Sequence, residues 1–382
     1  MRARLAIAVA LAGVVAACVA AAASSASDLT GAVGVYRFAG GSAAALVQQD
    51  GALRLVDYRT GALRQLSQQA RGLFVGGPGV SVPSPVSVRV ALGQSRAGSV
   101  TSVRIDGQTA TRVRLVTRSA TFAGNGVQIA GRLILPAGTG PFPAVVIVPG
   151  SVPAHRDTYD LWALFFASRG FAVLTYDKRG VGGSTGQYVR AATDENLRNL
   201  ASDALAGVEW LRHQRNVDPH RIGLSGGSQA GWVIALAASQ STDVRFAAMQ
   251  SGPAMSVGRQ LVYSALTRQG AADPSDEQIH AALDAAPVSG FDPRPALAGL
   301  KIPVLWQLGT VDKRMYTPET LANLVAITAG GGHDFTVRLY PGGAHSLRLT
   351  AHGLISEETT SPGFVSGVFT DLATWLRTHT SR

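Results

Sequence analysis

The spacing of hydrophobic positions divides the chain into three parts. An uninterrupted apolar stretch covers residues 5–17. Residues 28–118 then alternate between apolar and polar positions, as at 86–90 and 113–116, and this pattern predicts strands. From about residue 119 onward, continuous apolar runs alternate with stretches of helical spacing. The chain is therefore predicted to have a leader, a small β-rich accessory domain and an α/β domain.

The third part, residues 119–382, predicts a mostly parallel sheet. Residues 144–148 are apolar throughout, which is typical of a strand buried on both faces. Apolar residues recur every three or four positions over 194–213 and predict an amphipathic helix. The other predicted strands are 127–135, 171–176, 222–224, 244–249, 303–308 and 335–339, and the other helices are 161–168, 229–239 and 364–379. Strands alternating with helices predict an α/β fold with helices on both faces, and residues 252–300 form a helical insertion in it.

The start of the chain predicts export. Two arginines precede the apolar stretch, which is too short to span a bilayer, and small residues follow it, so residues 1–27 resemble a signal peptide. The tetrapeptide Val-Ala-Ala-Cys ending at Cys18 is similar to a lipobox, which would place a lipid anchor on that cysteine. Cleavage near Ala23 or Ala26 is the alternative, and it is favoured because apolar residues continue past Cys18. Either route leads to a periplasmic or extracellular protein.

The composition argues against a nucleic-acid partner, cysteine chemistry and a metal site. The formal net charge is +10, but the arginines are scattered rather than clustered on one run, so no nucleic-acid partner is expected. Cys18 is the single cysteine and lies in the leader, so the mature chain is expected to have no disulfide and no thiolate nucleophile. No His/Cys spacing typical of a metal site occurs, and neither a metal nor a cofactor is predicted.

The most informative motif lies at residues 221–232. A short apolar strand runs into a glycine-flanked serine, and a helix begins directly after it, as a nucleophile elbow requires. Ser228 is the predicted nucleophile, with the small residues Gly226 and Ala230 two positions before and after it; glycine is the more usual residue at the second position. Ser225 is the alternative, because residues 223–227 match G-x-S-x-G literally, but two glycines after it make a poor helix start. A glycine-rich turn without chemistry is the third interpretation.

A serine nucleophile needs a base and an orienting acid, which in this arrangement follow it along the chain in the order acid, then histidine. His345 follows the last predicted strand and is the predicted base, with His352 as the alternative. Asp312 follows the strand at 303–308 and is the predicted acid, although an aspartate there also suits a turn. His333 precedes the last strand and is expected at the opposite end of the sheet.

Two backbone N–H groups are needed to hold the oxyanion. Gln229, at the start of the elbow helix, is predicted to supply one. Ser151, in the loop Pro149-Gly150-Ser151 after the strand at 144–148, is predicted to supply the other. The glycine-rich run at 179–186 suggests a phosphate-binding loop but fits neither G-x-G-x-x-G nor the Walker pattern, so we expect a turn beside the active-site mouth.

These motifs together resemble those of a known superfamily. They are Val148-Pro149-Gly150-Ser151 with Arg156-Asp157, the run from Tyr176 to Gly182, the Ser228 elbow, the residues from Gly309 to Asp312, and the His345 loop. From about residue 120 onward, the chain resembles bacterial α/β-hydrolase esterases related to dienelactone hydrolase, the prolyl-oligopeptidase catalytic domain and acyl-thioester hydrolases. The resemblance implies an α/β-hydrolase fold, a triad of Ser228, Asp312 and His345, and an oxyanion hole of Ser151 and Gln229. Such families commonly carry His-Gly where this chain has Pro149-Gly150, a change that leaves the backbone donors in place.

The sequence therefore predicts an exported serine hydrolase that cleaves the carboxylic ester of a small acyl substrate through an acyl-enzyme. An acyl thioesterase, a serine peptidase and a non-catalytic binding protein are the alternatives. A propeller-gated oligopeptidase is disfavoured, because the N-terminal part is too short for a propeller. Apolar residues of the insertion are expected either to line the acyl pocket or to form the core of a lid; they are Met255, Val257, Leu261, Val262 and Leu266.

Overall fold

Eight antiparallel strands close into a barrel near the N-terminus of the protein. The computed structural model describes residues 31–381, so the predicted signal peptide and Cys18 lie outside the described residues. The first strand pairs with both the second and the eighth, which closes the barrel. The strands are β1 (Gly34–Phe38), β2 (Ala43–Gln49), β3 (Ala52–Asp57), β4 (Leu63–Ala70), β5 (Leu73–Gly76), β6 (Val88–Gln94), β7 (Val100–Ile105) and β8 (Gln108–Arg112). The predicted β-rich domain is thus a closed barrel.

The side chains of β2 explain how the barrel is joined to the rest of the protein. Ala44 and Leu46 point into the barrel core. Their neighbours Ala43, Ala45 and Val47 point outward and belong to a second core shared with the α/β domain. Because successive strand residues face opposite sides, an apolar run on both faces fits a strand with a core on each side.

A second sheet of eight strands follows the barrel. Its order is β16-β15-β14-β13-β11-β12-β10-β9. Neighbouring strands are parallel from β16 to β12, and β10 and β9 are antiparallel at the far edge. The strands are β9 (Leu115–Ala123), β10 (Gln128–Pro136), β11 (Phe142–Ile147), β12 (Ala172–Tyr176), β13 (Val217–Gly227), β14 (Phe246–Gln250), β15 (Val304–Gly309) and β16 (Phe335–Tyr340).

Helices cover both faces of this sheet. They are α1 (Asp160–Ser168), α2 (Asp194–Arg212), α3 (Ala230–Gln240), α4 (Val257–Leu266), α5 (Asp276–Asp284), α6 (Arg294–Gly299), α7 (Thr317–Ala329), α8 (Ile355–Thr360) and α9 (Val368–Thr380). Apolar residues of α2, α3 and α7 pack in one core, and those of α1 and α9 pack in the other. The helices α4 to α6 form the insertion between β14 and β15. Within residues 31–381, no helix has the length and apolar character needed to cross a membrane.

The structure differs from the sequence predictions at the stretch 113–116 and at two helices that were not predicted, α7 and α8. The stretch at 113–116, assigned above to the accessory domain, runs into β9, which pairs with β10 in the second sheet. Alternation predicts a strand but does not determine which sheet the strand joins. The helix α7 was not predicted, because its buried residues, Thr317, Thr320 and Leu324, include only one strongly apolar side chain.

Candidate active site

Ser228 lies on a sharp turn between β13 and α3. Its φ of 59° is left-handed, an uncommon and strained conformation for a residue other than glycine. Its backbone N–H donates to the carbonyl oxygen of Gln250 at 3.0 Å, which ties the turn to β14. A Cβ on Gly226 would collide with the carbonyl oxygen of Val148 and approach Ala230 Cβ at 2.7 Å. The turn therefore requires small residues on both sides of Ser228, as an elbow does.

Ser225, the alternative nucleophile, lies inside β13. It is only 2% exposed, and its carbonyl oxygen accepts from the N–H of Val148 at 2.7 Å. Ser228, in contrast, lines a cavity. Of the two serines, only Ser228 is placed to reach a substrate there.

His345 and Asp312 are joined by a hydrogen bond at the end of the sheet where Ser228 lies. The Nδ1 atom of His345 is 2.8 Å from Oδ2 and 3.1 Å from Oδ1 of Asp312. Asp312 is 4% exposed, and its Oδ1 also accepts from the backbone N–H groups of Arg314 at 2.8 Å and Met315 at 2.9 Å. A carboxylate facing Nδ1 assigns the proton to that nitrogen and leaves Nε2 as the basic one. His345 lines the same cavity as Ser228.

The other histidines near the end of the chain have different partners. His352 is exposed, and its Nδ1 is 2.8 Å from Oε1 of Glu357. The Nδ1 of His333 lies 3.0 Å from the carbonyl oxygen of Leu300, and Asp334 is 3.6 Å from His379. None of these histidines lines the cavity that contains Ser228.

The loop that holds Ser151 is fixed by side chains on both sides. The N–H of Gly150 donates to the hydroxyl of Tyr159 at 2.9 Å, and its carbonyl oxygen accepts from Nζ of Lys178 at 2.7 Å. The carbonyl oxygen of Ser151 accepts from the hydroxyl of Tyr188 at 2.5 Å. Within residues 31–381, the N–H groups of Ser151 and Gln229 have no acceptor, so both are free to bind an oxyanion.

Lys178 was not predicted as part of this site. It is 1% exposed, and its Nζ also donates to Oε1 of Gln229 at 3.0 Å, so it contacts both sides of the predicted oxyanion hole. Burial lowers the pKa of Lys178 to about 8. The available signal was its position two residues after the five buried residues of β12, where a lysine cannot reach solvent easily.

The glycine-rich run at 179–186 encloses a side chain rather than a phosphate. Asp177 accepts from the N–H of Gly183 at 2.8 Å and from the guanidinium of Arg156 at 2.5 Å. Burial alone would raise the pKa of Asp177, but the hydrogen bonds to Arg156 and the backbone outweigh burial and lower it. The run is therefore a turn around the Asp177 carboxylate, and none of its residues lines the cavity that contains Ser228.

The cavity that joins these groups has a volume of about 740 Å³. Val257 and Leu261 of the insertion line it, whereas Val262 and Leu266 pack against Tyr263 in a small separate core. Met255 is fully buried. The insertion thus supplies both a cavity wall and a lid core.

Charge in the cavity is mainly positive. Three arginines and one aspartate line it: Arg190, Arg268, Arg314 and Asp194. In the part of the chain that the structure describes, none of the three arginines forms an ion pair. Over the same residues, no group of three or more His, Cys, Asp or Glu side chains is arranged to hold a metal ion. The arrangement suits nucleophilic attack by a serine in a positively charged cavity.

Comparison with known proteins places this site in a family context. A family model described as the prolyl oligopeptidase family matches residues 158–370, which include Ser228, Asp312 and His345. The esterase FrsA of Escherichia coli is 37% identical over 90 residues, which are 24% of this chain and 22% of that protein. The chain thus matches only about a fifth of the length of these curated relatives.

Solved structures show the same fold at low identity. An esterase of Pyrococcus furiosus has a TM-score of 0.51 and 15% identity, covering 70% of this chain and 92% of that one. A puromycin-hydrolysing peptidase of Mycobacterium tuberculosis has a TM-score of 0.51 and 18% identity, covering 92% of this chain and 54% of that one. At these identities, the similarity is one of fold.

Proposed function

Because this chain belongs to the prolyl oligopeptidase family and is a serine hydrolase of the α/β-hydrolase fold, we propose that it hydrolyses carboxylic esters through a triad of Ser228, His345 and Asp312. The observation that carries the proposal is the joint placement of Ser228 and His345 on one cavity, with Asp312 hydrogen-bonded behind the histidine.

In the first half of the reaction, Nε2 of His345 takes the hydroxyl proton of Ser228 as its Oγ attacks the ester carbonyl carbon. The carbonyl oxygen becomes an oxyanion held by the N–H groups of Ser151 and Gln229. Asp312 keeps the imidazole oriented and stabilises the imidazolium. The imidazolium then gives its proton to the leaving alcohol, and an acyl-enzyme on Ser228 remains.

In the second half, water replaces the alcohol. Nε2 of His345 takes a proton from water, whose oxygen attacks the acyl carbon and forms a second oxyanion in the same hole. When that intermediate collapses, Ser228 recovers its proton from the imidazolium and the carboxylic acid leaves. The sum is ester plus water giving acid plus alcohol, with no cofactor or metal ion in any step.

The substrate class follows from the cavity. Its apolar wall, which includes Val257, Leu261 and Trp232, suits an acyl chain. The unpaired arginines favour an acyl group that also carries a negative charge. The proposed partner is therefore a small acyl substrate, not a nucleic acid.

Export through residues 1–27, with cleavage after the leader or a lipid on Cys18, remains part of the proposal and rests on the sequence alone.

Peptide cleavage is the second candidate, because the family model takes its description from a peptidase. The proposal is tested by measuring hydrolysis of p-nitrophenyl acetate, butyrate and octanoate beside aminoacyl p-nitroanilides. Ser225→Ala is the matched control for Ser228→Ala. Ester hydrolysis that disappears only in Ser228→Ala supports the proposal, whereas faster cleavage of the anilides would favour the peptidase.

A further inference from the structure

The turn that carries His345 is held in a strained conformation. We call residues 344–348 the histidine turn. Its Leu347 N–H donates to the carbonyl oxygen of Ala344 at 2.9 Å, and its Ala344 N–H donates to the carbonyl oxygen of Arg348 at 2.9 Å. Leu347 is fully buried and has a φ of 61°. Leucine rarely adopts this left-handed conformation, which persists only where neighbouring structure enforces it. The position of His345 therefore depends on what holds the two ends of the turn.

The N-terminal end of the histidine turn is held by the loop that carries Asp312. The N–H of Val311 donates to the carbonyl oxygen of Gly343 at 3.1 Å, and the N–H of Gly342 donates to Oγ1 of Thr310 at 3.1 Å. This end is fixed within the α/β domain itself.

The C-terminal end of the histidine turn is held by a segment that we name the strap (residues 359–365). The N–H of Leu349 donates to the carbonyl oxygen of Gly363 at 2.8 Å, and the N–H of Val365 donates to the carbonyl oxygen of Leu347 at 2.9 Å. The strained residue Leu347 is thus bonded directly to the strap.

The strap is in turn bonded to the N-terminal barrel. The N–H of Phe364 donates to the carbonyl oxygen of Gly61, in the turn between β3 and β4, at 2.8 Å. The N–H of Val80, in the loop before β6, donates to the carbonyl oxygen of Ser361 at 2.8 Å. Backbone hydrogen bonds therefore form a continuous connection from the barrel to the strap and from the strap to the histidine turn.

We propose that the N-terminal barrel positions His345 for catalysis through this connection. The inference rests on the proposed function, since it gives the barrel a part in the proposed triad. In this account, Gly61 and Gly363 are positioning residues: neither touches the substrate, and both set where the imidazole stands relative to Asp312 and the cavity.

A short repeat in the barrel supplies a matched test. The sequence Gly-Ala-Leu-Arg occurs at residues 51–54 and again at 61–64. Gly51 and Gly61 have nearly the same φ, 74° and 77°. A Cβ on Gly51 would meet nothing within 4 Å, whereas a Cβ on Gly61 would meet the carbonyl oxygen of Phe364 at 2.8 Å. Alanine at either position meets the same backbone strain, but only at Gly61 does it push against the strap.

The first measurement compares Gly61→Ala with Gly51→Ala on p-nitrophenyl butyrate. We expect both variants to lose thermal stability, and Gly61→Ala to lose more than Gly51→Ala because its Cβ also meets the strap. Only Gly61→Ala should also lower kcat, by about 10- to 100-fold, because a small displacement of a catalytic group is costly. KM should stay within about twofold, since substrate binding is unchanged. Gly363→Ala, which crowds the same contact from the strap side, is measured with them so that the result does not depend on the folding of one variant.

The second measurement observes the histidine without relying on catalysis. The low-field proton resonance of Nδ1–H in its bond to Asp312 is assigned by its loss in His345→Ala. We expect this resonance to persist in Gly51→Ala and to shift or disappear in Gly61→Ala and Gly363→Ala. If the wild type hydrolyses no ester but this pattern holds, the proposed function fails and the positioning inference stands. If Gly61→Ala and Gly363→Ala match Gly51→Ala in both kcat and resonance, the inference is wrong.

Discussion

Lys178 provides the sharpest link between the stability of this protein and its activity. Burial lowers the pKa of its ammonium from 10.5 to about 8. At about 1.4 kcal/mol per pKa unit, the charged form destabilises the fold by about 3 kcal/mol. The unfolded chain binds more protons between pH 8 and pH 10.5, so this penalty is full below pH 8 and disappears as the pH rises toward 10.5.

Replacing Lys178 by methionine removes that penalty but also removes two hydrogen bonds, to Gly150 and Gln229. Each acceptor left buried without a partner costs about 1–3 kcal/mol. The two effects are of similar size and opposite sign, so we expect the free energy of unfolding of Lys178→Met to stay within about 2 kcal/mol of the wild type. Stability alone therefore gives little reason for a buried lysine here.

The activity of Lys178→Met should change much more than its stability. Without Lys178, the loop with Ser151 and the side chain of Gln229 lose their shared anchor, and we expect kcat to fall by about 10- to 100-fold. In the wild type, kcat should decline by about two- to fivefold above pH 8, where Lys178 loses its proton. The decline is small because the neutral amine still donates to both acceptors. Lys178→Met should lack this alkaline decline.

The assay is kcat for p-nitrophenyl butyrate between pH 7 and 10, together with urea unfolding at each pH. Lys301→Met, at an exposed lysine, is the control and should match the wild type. A variant at Lys178 with wild-type kcat would refute the reasoning, and so would a variant whose lost activity is fully explained by unfolding.

Three further predictions concern the triad, the elbow and the cavity. Asp312→Asn should lower kcat by about 10⁴-fold with little change in KM, because the imidazole then takes the wrong tautomer; steady-state kinetics measure both. Gly226→Ala should reduce both activity and melting temperature, since the new Cβ meets Val148; Gly299→Ala, where a Cβ meets nothing within 4 Å, is the control in the same assays. Arg190→Gln with Arg268→Gln should raise KM by about threefold for p-nitrophenyl hemisuccinate but not for the butyrate, with ionic strength held constant.

The sequence predicted the elbow well because its requirements are local. A strand, small residues around Ser228 and a helix start all fall within a dozen positions, and each has its own sequence pattern. Asp312 and His345 were identified from their places after two predicted strands, and the structure joins them by a hydrogen bond. The order of strands, rather than any contact pattern, made that possible.

The groups that fix the oxyanion loop were missed for the opposite reason. Lys178 is 28 residues from Gly150 and 51 residues from Gln229, and no local pattern links residues so far apart. Closure of the barrel was not predicted for the same reason. Alternation of apolar and polar residues predicts strands, but the pairing of β1 with β8 joins residues far apart in the sequence. The two Gly-Ala-Leu-Arg segments show that a local sequence does not determine its tertiary contacts, because these identical sequences have different surroundings.

The central claim is tested most directly by covalent labelling of the nucleophile. The mature protein is treated with a fluorophosphonate probe, digested, and the modified peptide is identified by mass spectrometry, with Ser228→Ala and Ser225→Ala treated alike. The account predicts one label on Ser228, present in the wild type and in Ser225→Ala and absent in Ser228→Ala. A label that depends on Ser225, or a folded wild type that takes no label, would contradict it.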